Sequence, residues 1–373
     1  MWIRAIWPAV IILLAARQTS LAGTTYTVVD LNPAGFSDAE ALGANGGLQA
    51  GWGYGGALGG ANYHALIWNG SASSFVDLNG GFTTSVINAI GGGQQTGTAS
   101  GTSTGGSSHA VLWTGTAASA VDLNPAGFLA SVGNAANGGQ QGGYAYSVAD
   151  QLDHAMLWSG TAASAVDLSP AAYGRSAVQA IGGGQQAGYA KDIATSDLHA
   201  MLWTGTAASA VDLNPPGFTG SQIYGVGDGM QVGEAIGSPI SNHEHAMLWS
   251  GTAASYVDLH PVGFADSVAL ALGDGEEVGW AGGPTVGTGT DPYVWSGTAA
   301  SAIDLKQFLP VQYGFSEATG IDANGDIVGY GIDSSQNFHA IEWTPSPEPG
   351  SLVTLGIGAT SVLARKRKLA TPN

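Results

Sequence analysis

The stretch HAMLWSGTAASAVDL, residues 154–168, recurs with small changes along most of the 373-residue chain. Its tryptophan and its aspartate each occur seven times, and successive tryptophans are 45, 45, 45, 46, 46 and 48 residues apart. The repeated positions are Trp68, Trp113, Trp158, Trp203, Trp249, Trp295 and Trp343, and Asp30, Asp77, Asp122, Asp167, Asp212, Asp258 and Asp304. Such a period is typical of folds in which each repeat covers the apolar face of its neighbour.

Each repeat contains four short apolar segments. In the last unit, ATGID (318–322) and DIVGYGID (326–333) flank the turn ANG (323–325), and FHAIEWT (338–344) follows. Asn-Gly between two apolar segments favours a β-hairpin. In other units a GTAAS-like turn, as at 160–164, leads into a short VDL strand, and Asn-Pro or Ser-Pro then ends the unit. Four antiparallel strands per period predict a propeller blade.

Glycine recurs at two places in each unit. The first set occupies the predicted hairpin turns and is Gly47, Gly93, Gly139, Gly184, Gly229, Gly275 and Gly325. The second lies four residues later, inside a strand, and is Gly51, Gly97, Gly143, Gly188, Gly233, Gly279 and Gly329. The first set suits turn geometry, and the second indicates a bulge or a close backbone approach.

The two ends of the repeat region are complementary. TYTVVDL (25–31) is a VDL strand without its tryptophan strand, and HAIEW (339–343) is a tryptophan strand without its VDL strand. Pairing them would complete the last blade and leave no exposed edge. We therefore predict an all-β, seven-bladed β-propeller with four-stranded blades, closed by the N-terminal strand and followed by a short C-terminal transmembrane helix. A β-helix or an open array is the alternative.

The repeat resembles a known family. His-Ala-x-Leu-Trp, a glycine, Val-Asp-Leu and a Ser-x-Ala-x-Ala-Ile segment before a glycine-rich turn are similar to the HAF repeat of extracellular bacterial proteins. The resemblance covers residues 24–344, and the matched positions are structural ones. Unit six departs from it, because Asp291 and Pro292 stand where His-Ala is expected.

The N-terminus has the features of a secretory signal peptide. Residues 1–22 contain an early arginine, Arg4, a twelve-residue apolar core and the small residues Ser20 and Ala22 before Gly23. The apolar core is shorter than the ~20 residues that a spanning helix needs. We predict export and a mature domain that extends over 23–344.

The C-terminal segment, 345–373, resembles the PEP-CTERM sorting tail of Gram-negative bacteria. It combines Pro347, Glu348 and Pro349, a 14-residue apolar stretch at 351–364, and the basic cluster Arg365, Lys366, Arg367 and Lys368. The resemblance implies a short transmembrane helix, recognition by an exosortase, and release to the cell surface or matrix. The apolar stretch contains more glycine, serine and threonine than is usual for such tails.

Composition excludes several classes of function. The chain has no cysteine, so it has no disulfides, thiolate metal sites or cysteine nucleophiles. All 27 acidic residues lie between Asp30 and Glu348, where only Arg175, Lys191 and Lys306 are basic. Such a body repels the phosphates of nucleic acid, and we predict no nucleic-acid partner.

The repeated histidines are predicted to be structural. They are His64, His109, His154, His199, His245 and His339. A buried histidine and aspartate on adjacent strands can join the strands by a hydrogen bond, whereas catalysis needs one distinctive constellation. The turn from Asp322 to Asp333 has Ile327 where a calcium loop needs glycine. We therefore predict no catalytic residue, no metal site and no cofactor.

Function is expected in the variable loops that follow the second glycine of each repeat. The candidate binding residues there are Trp52, Tyr54, Tyr63, Tyr146, Lys191, Glu244 and Trp280. The first hypothesis is a secreted, non-enzymatic binding or matrix component whose partners are extracellular polysaccharide or surface proteins. The alternatives are a propeller enzyme with two carboxylates across the central opening, and a structural matrix protein without a ligand. An ice-binding role is disfavoured because radial blades scatter the threonines.

Overall fold

The computed structural model describes residues 24–56, 60–283 and 289–346. These residues form seven four-stranded antiparallel sheets, which confirms the predicted seven-bladed β-propeller. The predicted signal peptide (1–22), sorting tail (from Pro347) and transmembrane helix lie outside the described residues. Within the described part of the chain, no helix is long and apolar enough to cross a membrane.

Each blade runs from an inner first strand to an outer fourth strand. Blades 1 and 2 contain β2 Asp38–Asn45, β3 Leu48–Gly55, β4 Gly60–Trp68 and β5 Val76–Asp77, and β6 Thr84–Gly91, β7 Gln94–Ser100, β8 His109–Trp113 and β9 Val121–Asp122. Blades 3 and 4 contain β10 Phe128–Asn137, β11 Gln140–Ser147, β12 Asp153–Trp158 and β13 Val166–Asp167, and β14 Tyr173–Gly182, β15 Gln185–Asp192, β16 Leu198–Trp203 and β17 Val211–Asp212. Blades 5 and 6 contain β18 Gly220–Gly227, β19 Met230–Ile236, β20 Glu244–Trp249 and β21 Val257–Asp258, and β22 Asp266–Gly273, β23 Glu276–Gly282, β24 Thr290–Trp295 and β25 Ile303–Asp304. Blade 7 contains β26 Phe315–Ile321, β27 Ile327–Ile332, β28 Phe338–Ser346 and the N-terminal strand β1 Thr25–Asp30.

The GTAAS-like segments form short 3-10 turns. In blade 3, Ser164 Oγ donates to the carbonyl of Thr161 at 2.6 Å and accepts from the amide of Ser159 at 2.8 Å, so one hydroxyl holds the reversal together. The 3-10 turns of the GTAAS-like segments are Ala72–Ser74, Ala117–Ser119, Ala162–Ser164, Ala207–Ser209, Ala253–Ser255 and Ala299–Ser301. Three more 3-10 turns lie elsewhere, at Thr102–Thr104, Ser238–Ile240 and Leu305–Phe308.

Both chain ends build blade 7, as predicted. Strand β1 pairs antiparallel with β28, with Thr25 opposite Ser346 and Asp30 opposite Ile341. Strand β28 extends to Ser346, two residues beyond the predicted domain boundary at 344. The ring is therefore closed by hydrogen bonds between the two ends of the repeat region.

The core is divided among the seven interfaces between blades, which we call seams. Each seam contains one apolar cluster and one repeated tryptophan that is at most 1% exposed. In the seam between blades 2 and 3, Trp158 and Met156 pack on Leu112 and Leu123. The indole Nε1 of each repeated tryptophan has no hydrogen-bond partner among the described residues. These side chains therefore stabilise the ring by packing.

The second glycine of each repeat permits a close backbone approach. A Cβ on Gly51 would lie 1.9 Å from the carbonyl oxygen of Glu40 on the neighbouring strand. The equivalent glycines are equally restricted, and they are Gly97, Gly143, Gly188, Gly233, Gly279 and Gly329. The sequence prediction at these positions is confirmed.

A serine joins most neighbouring blades, and we call its hydrogen bond the serine latch. The backbone amide of an alanine in the third strand donates to a serine Oγ in the first strand of the next blade, at 2.9–3.0 Å. The pairs are Ala65–Ser85, Ala110–Ser131, Ala155–Ser176, Ala200–Ser221 and Ala246–Ser267. These latches hold the seams from blade 1 through blade 6.

Candidate functional site

The loops between second and third strands lie on the same face of the ring as the links between blades, and we call it the loop face. Backbone amides in the links donate to the ends of the second strands: Ser37 to Tyr54 at 2.9 Å and Thr83 to Ser100 at 2.7 Å. These hydrogen bonds fix the links to the blades. The loops on this face differ in sequence from one repeat to the next.

Three of the predicted binding residues meet on blade 1 at the loop face. The ring centroids of Tyr54 and Tyr63 are 5.2 Å apart, and those of Tyr63 and Trp52 are 4.9 Å apart with the rings nearly perpendicular. Tyr63 is 45% exposed. The three rings form a continuous aromatic surface at the ends of β3 and β4.

The other predicted residues lie on separate blades. Tyr146 and Lys191 are near the ends of β11 and β15, Glu244 begins β20, and Trp280 lies in β23. Among the described residues, none of these four makes a ring contact with the blade 1 aromatics. The structure therefore assembles only part of the predicted set.

The aromatic surface continues across the seam into blade 7. Trp52 lies 6.4 Å from Phe338, and Phe338 lies 5.4 Å from Tyr330, between ring centroids. Phe338 is anchored because its amide donates to Asp38 Oδ1 at 3.0 Å. The aromatic surface is thus built from both ends of the chain.

Carboxylates accompany these rings. Trp52 Nε1 donates to Glu40 Oε2 at 2.9 Å, and Thr290 Oγ1 of blade 6 donates to Glu317 Oε1 at 3.0 Å. Glu317 lies opposite Tyr330 in the strand pairing. We call this group the seam cluster; it comprises Asp38, Glu40, Trp52, Tyr54, Tyr63, Glu317, Tyr330 and Phe338.

The carboxyl groups of the seam cluster are electrostatically coupled. Burial raises the pKa of Glu40 to about 7, the hydrogen bond from Trp52 opposes the rise, and Glu317 and Asp38 add to it. Burial also raises the pKa of Glu317. Because burial and the charges of Glu317 and Asp38 disfavour the ionised form of Glu40, the site favours ligands that stabilise that form.

The repeated histidines join the third strand of each blade to the fourth. Their Nδ1 atoms lie 2.6–2.9 Å from a repeated aspartate Oδ2, in the pairs His64–Asp77, His109–Asp122, His154–Asp167, His199–Asp212, His245–Asp258 and His339–Asp30. The other oxygen of each aspartate accepts a backbone amide two residues later, as from Asn79 to Asp77 at 2.8 Å. Both carboxylate oxygens of these aspartates therefore make hydrogen bonds that stabilise the blades.

Blade 6 replaces this pair by a charge-reversed one. Asp291 occupies the histidine position, and its partner is the ammonium of Lys306, which also donates to the carbonyl of Gly314 at 2.8 Å. Lys306 follows Asp304 by two residues, and its amide is bound by Asp304 Oδ1 at 2.7 Å. A polar side-chain pair is therefore kept at this position of blade 6, but the acidic residue now stands where the other blades have histidine.

The central channel contains a cavity of about 400 Å³ lined by the inner strands. Its polar side chains connect blades: Asn88 Nδ2 donates to the carbonyl of Gly133, Asn134 Nδ2 to that of Val178, and Thr319 Oγ1 to that of Ala41. Among the described residues, none that lines this cavity is an aspartate or a glutamate. The enzyme hypothesis, which placed two carboxylates across the opening, finds no such pair there.

A smaller cavity of about 190 Å³ lies between blades 4 and 5 and includes Glu234 and Glu244. Gln222 Nε2 and Tyr224 Oη both donate to Glu234 Oε1, at 2.9 and 3.0 Å. Burial raises the pKa of Glu234 to about 7, and the charge of Glu244 raises it further. This is a second place where two carboxyl groups interact closely.

The turn at Asp322 uses its carboxylate internally. Asp322 Oδ1 accepts the amides of Asn324 and Asp326 at 2.7 and 3.2 Å, and Oδ2 accepts the amide of Gly47 at 3.1 Å. Within the described ranges, no group of three His, Cys, Asp or Glu residues is placed to hold a metal ion. This acidic turn works as a connection between blades 7 and 1.

No protein-family model and no curated protein matches this chain. Solved structures share its fold: the β-propeller domain of the Trilobed protease from Pyrococcus furiosus, described as having an open velcro topology, is 10% identical with a TM-score of 0.53, over 83% of this chain and 93% of that one. Puromycin hydrolase is 11% identical with a TM-score of 0.56, over 84% of this chain and 55% of that one. A prolyl endopeptidase is 8% identical with a TM-score of 0.52, over 84% and 51%. Identities this low show the propeller fold alone.

Sequence reasoning missed Glu40, Glu317 and Phe338. Glu40 and Glu317 occupy the inner-strand position at which other blades have Val86, Val132 or Val268. Aligning the repeats with one another would have revealed these two departures. Glu317 lies near enough to raise the pKa of Glu40 across the seam between blades 7 and 1, and this proximity depends on ring closure.

Proposed function

We propose that the protein is an exported surface propeller that binds glycans without chemically changing them. The observation that carries this proposal is the continuous aromatic surface of Trp52, Tyr54 and Tyr63 at the loop face, with Tyr63 45% exposed. Aromatic faces offer a large apolar contact area at low conformational cost, which suits the apolar faces of sugar rings.

Export and surface sorting complete the proposal. The predicted signal peptide would direct the chain across the inner membrane. An exosortase would then recognise Pro347, Glu348 and Pro349, with the basic cluster Arg365–Lys368 marking the cytoplasmic side. Mass spectrometry of the mature protein tests this step, since a C-terminus at Asn373 would contradict processing.

The binding test is a titration of the full-length protein with a panel of oligosaccharides, with and without calcium. Tyr63→Ala is expected to weaken binding about tenfold, the loss of one stacked ring. Tyr146→Ala and Trp280→Ala are matched controls on other blades and should bind as the wild type does. Saturable binding that only the controls weaken would move the site away from blade 1. A folded protein that binds no glycan would favour a structural matrix role.

A polysaccharide-cleaving enzyme is the second candidate, and the two carboxyl pairs favour it. Glu40 with Glu317, and Glu234 with Glu244, have the raised pKa that a general acid needs near neutral pH. Release of reducing ends from a bound polysaccharide, abolished by Glu40→Gln or Glu234→Gln, would establish this activity. Binding without any release favours the non-enzymatic function.

A further inference from the structure

The seam cluster combines aromatic rings with carboxylates in one continuous surface. Successive ring centroids from Tyr54 through Tyr63, Trp52 and Phe338 to Tyr330 are 5.2, 4.9, 6.4 and 5.4 Å apart. The surface therefore crosses from blade 1 to blade 7 without a break. A ligand laid along it would contact both blades.

The carboxylates sit beneath and beside these rings. Glu40 is bound to the edge of Trp52, Asp38 is bound to the amide of Phe338, and Glu317 lies opposite Tyr330. Trp52 Nε1 engages Glu40 Oε2, and the amide of Phe338 engages Asp38 Oδ1. These donors are uncharged, so their hydrogen bonds leave the negative charge of the carboxylates in place.

The lysine and arginine side chains of the described residues lie outside the seam cluster. The lysines and arginines of the described ranges are Arg175, Lys191 and Lys306. Arg175 and Lys191 lie on blade 4, and Lys306 is bound to Asp291 and Gly314. No lysine or arginine of the described ranges therefore supplies a positive charge to the seam cluster, and His339 beside it is engaged by Asp30.

Ring faces and carboxylates together recognise one chemical group particularly well. An ammonium group is attracted by the electron-rich ring face and by carboxylates in the same partly desolvated place. A uronic acid would be repelled by the same carboxylates, and an uncharged sugar would gain only from stacking. The raised pKa of Glu40 also supports this, because a cation would restore the ionised form.

We propose that the seam cluster selects glycans that carry an ammonium group, so that amino sugars bind in preference to N-acetylated or acidic sugars. This inference rests on the proposed glycan-binding function and names its ligand class. The sugar ring stacks on the exposed ring of Tyr63, and the ammonium group lies beside Trp52 and Glu40.

Calorimetric titration of the full-length protein at pH 7 and 0.15 M salt tests this selectivity. The probes are the β-1,4 tetramers of glucosamine and N-acetylglucosamine, a trimethylammonium derivative of the glucosamine tetramer with a fixed charge, and a galacturonate tetramer. The two cationic tetramers are expected to bind about tenfold more tightly than the N-acetylated one. The galacturonate tetramer should show no saturable binding.

Variants test whether the cationic tetramers bind at the seam cluster or are only attracted by the overall negative charge of the protein. Glu40→Gln keeps an acceptor for Trp52 and should reduce the preference to about twofold without weakening the N-acetylated tetramer. Glu276→Gln, the matched control on blade 6, removes another carboxyl group whose pKa burial raises to about 7 and should leave the preference unchanged. Cationic binding that survives Tyr63→Ala, or equal loss in both glutamate variants, would overturn the assignment.

The outcomes also separate this inference from the proposed function. Equal affinity for the amino and N-acetylated tetramers would refute ammonium selectivity and leave glycan binding intact. Absence of binding to every tetramer would refute both.

Discussion

The seams from blade 1 to blade 6 and the two seams that flank blade 7 are built differently. The first five each have a serine latch. Between blades 6 and 7 the donor position is Pro292, which has no N–H, and Ser316 Oγ is buried without a hydrogen-bond partner among the described residues. Between blades 7 and 1 the serine is replaced by Ala39, and Asn32 Oδ1 is buried with no hydrogen-bond partner in the described part of the chain.

Carboxylates connect the two unlatched seams. Glu317 binds Thr290 of blade 6, and Asp38, Asp322 and Glu342 bind Phe338, Gly47 and Gln49 across the seam between blades 7 and 1. Carboxylates thus hold the closing blade in the absence of a serine latch, whereas the seam between blades 5 and 6 has both a latch and a carboxylate, Asp266, which accepts the amide of Glu244 at 3.2 Å. The seam cluster lies in the same place, so the part of the ring that departs from the repeat is also the part with distinctive surface chemistry.

The largest expected effect on stability comes from removing one of the repeated tryptophans, which are present in all seven seams. Trp203→Ala removes a fully buried side chain from the seam between blades 3 and 4. We expect the free energy of unfolding in urea to fall by about 3–5 kcal/mol. A loss below about 1 kcal/mol, well under that range, would mean that the tryptophans do not carry the core.

The serine latch should matter only where it is formed. Ser176→Ala leaves the buried amide of Ala155 without its acceptor and should cost about 1–3 kcal/mol of unfolding free energy. Ser316→Ala is the matched control, and it should cost little because Ser316 Oγ has no hydrogen-bond partner within the described ranges. Equal costs for the two variants would contradict the difference between the seams.

Adding a latch should stabilise the closing seam. Ala39→Ser places a hydroxyl opposite the amide of Ala340, where it can also donate to Asn32 Oδ1. We expect a gain of about 1 kcal/mol in urea unfolding, the usual net value of a hydrogen bond. Destabilisation would show that the seam has no room for the hydroxyl.

The last prediction is a pH dependence of stability to which blade 7 contributes. Burial raises the pKa of Glu342 to about 7, and Asp326 and Asp322 add to the rise against the hydrogen bond from Gln49. A raised carboxyl pKa gives stability that is present below the unfolded value of about 4.5 and is lost as pH rises through about 7.

We therefore expect a lower melting temperature at pH 8 than at pH 5. The hydrogen bond with Asp30 raises the pKa of His339, which acts in the same direction, whereas burial lowers the pKa of His260, which acts in the opposite one. Glu342→Gln keeps an acceptor for Gln49 and should make the profile less steep, while Glu40 and Glu234, whose pKa values burial also raises to about 7, keep their contributions. A profile unchanged by Glu342→Gln, or a higher melting temperature at pH 8, would contradict this origin.

Much of the fold could be predicted from the sequence because the same pattern of strands and turns occurs in seven repeats. The spacing of the tryptophans gave the blade, and TYTVVDL at 25–31 with HAIEW at 339–343 predicted the closure that the β1–β28 pairing confirms. Packing period and turn chemistry are local properties, and repetition makes them visible. The GTAAS segments were predicted as turns, and their 3-10 form follows from the Ser164 hydroxyl.

The site was less predictable because it depends on departures from the repeat. Trp52, Tyr54 and Tyr63 were candidates as loop aromatics, and their mutual contacts follow from the pairing of β3 with β4. Glu40 and Glu317 lie in inner strands, which pattern reasoning assigns to packing. They approach each other only because the ring closes between blades 7 and 1.

Hydrogen exchange of the full-length protein with and without the glucosamine tetramer tests the central claim, that the seam between blades 7 and 1 is the binding site. We predict that the tetramer slows amide exchange in β2, β4 and the start of β28 while blades 3 and 4 stay unchanged. Protection confined to blades 3 and 4 or to the central channel, or no protection at saturating tetramer, would contradict it.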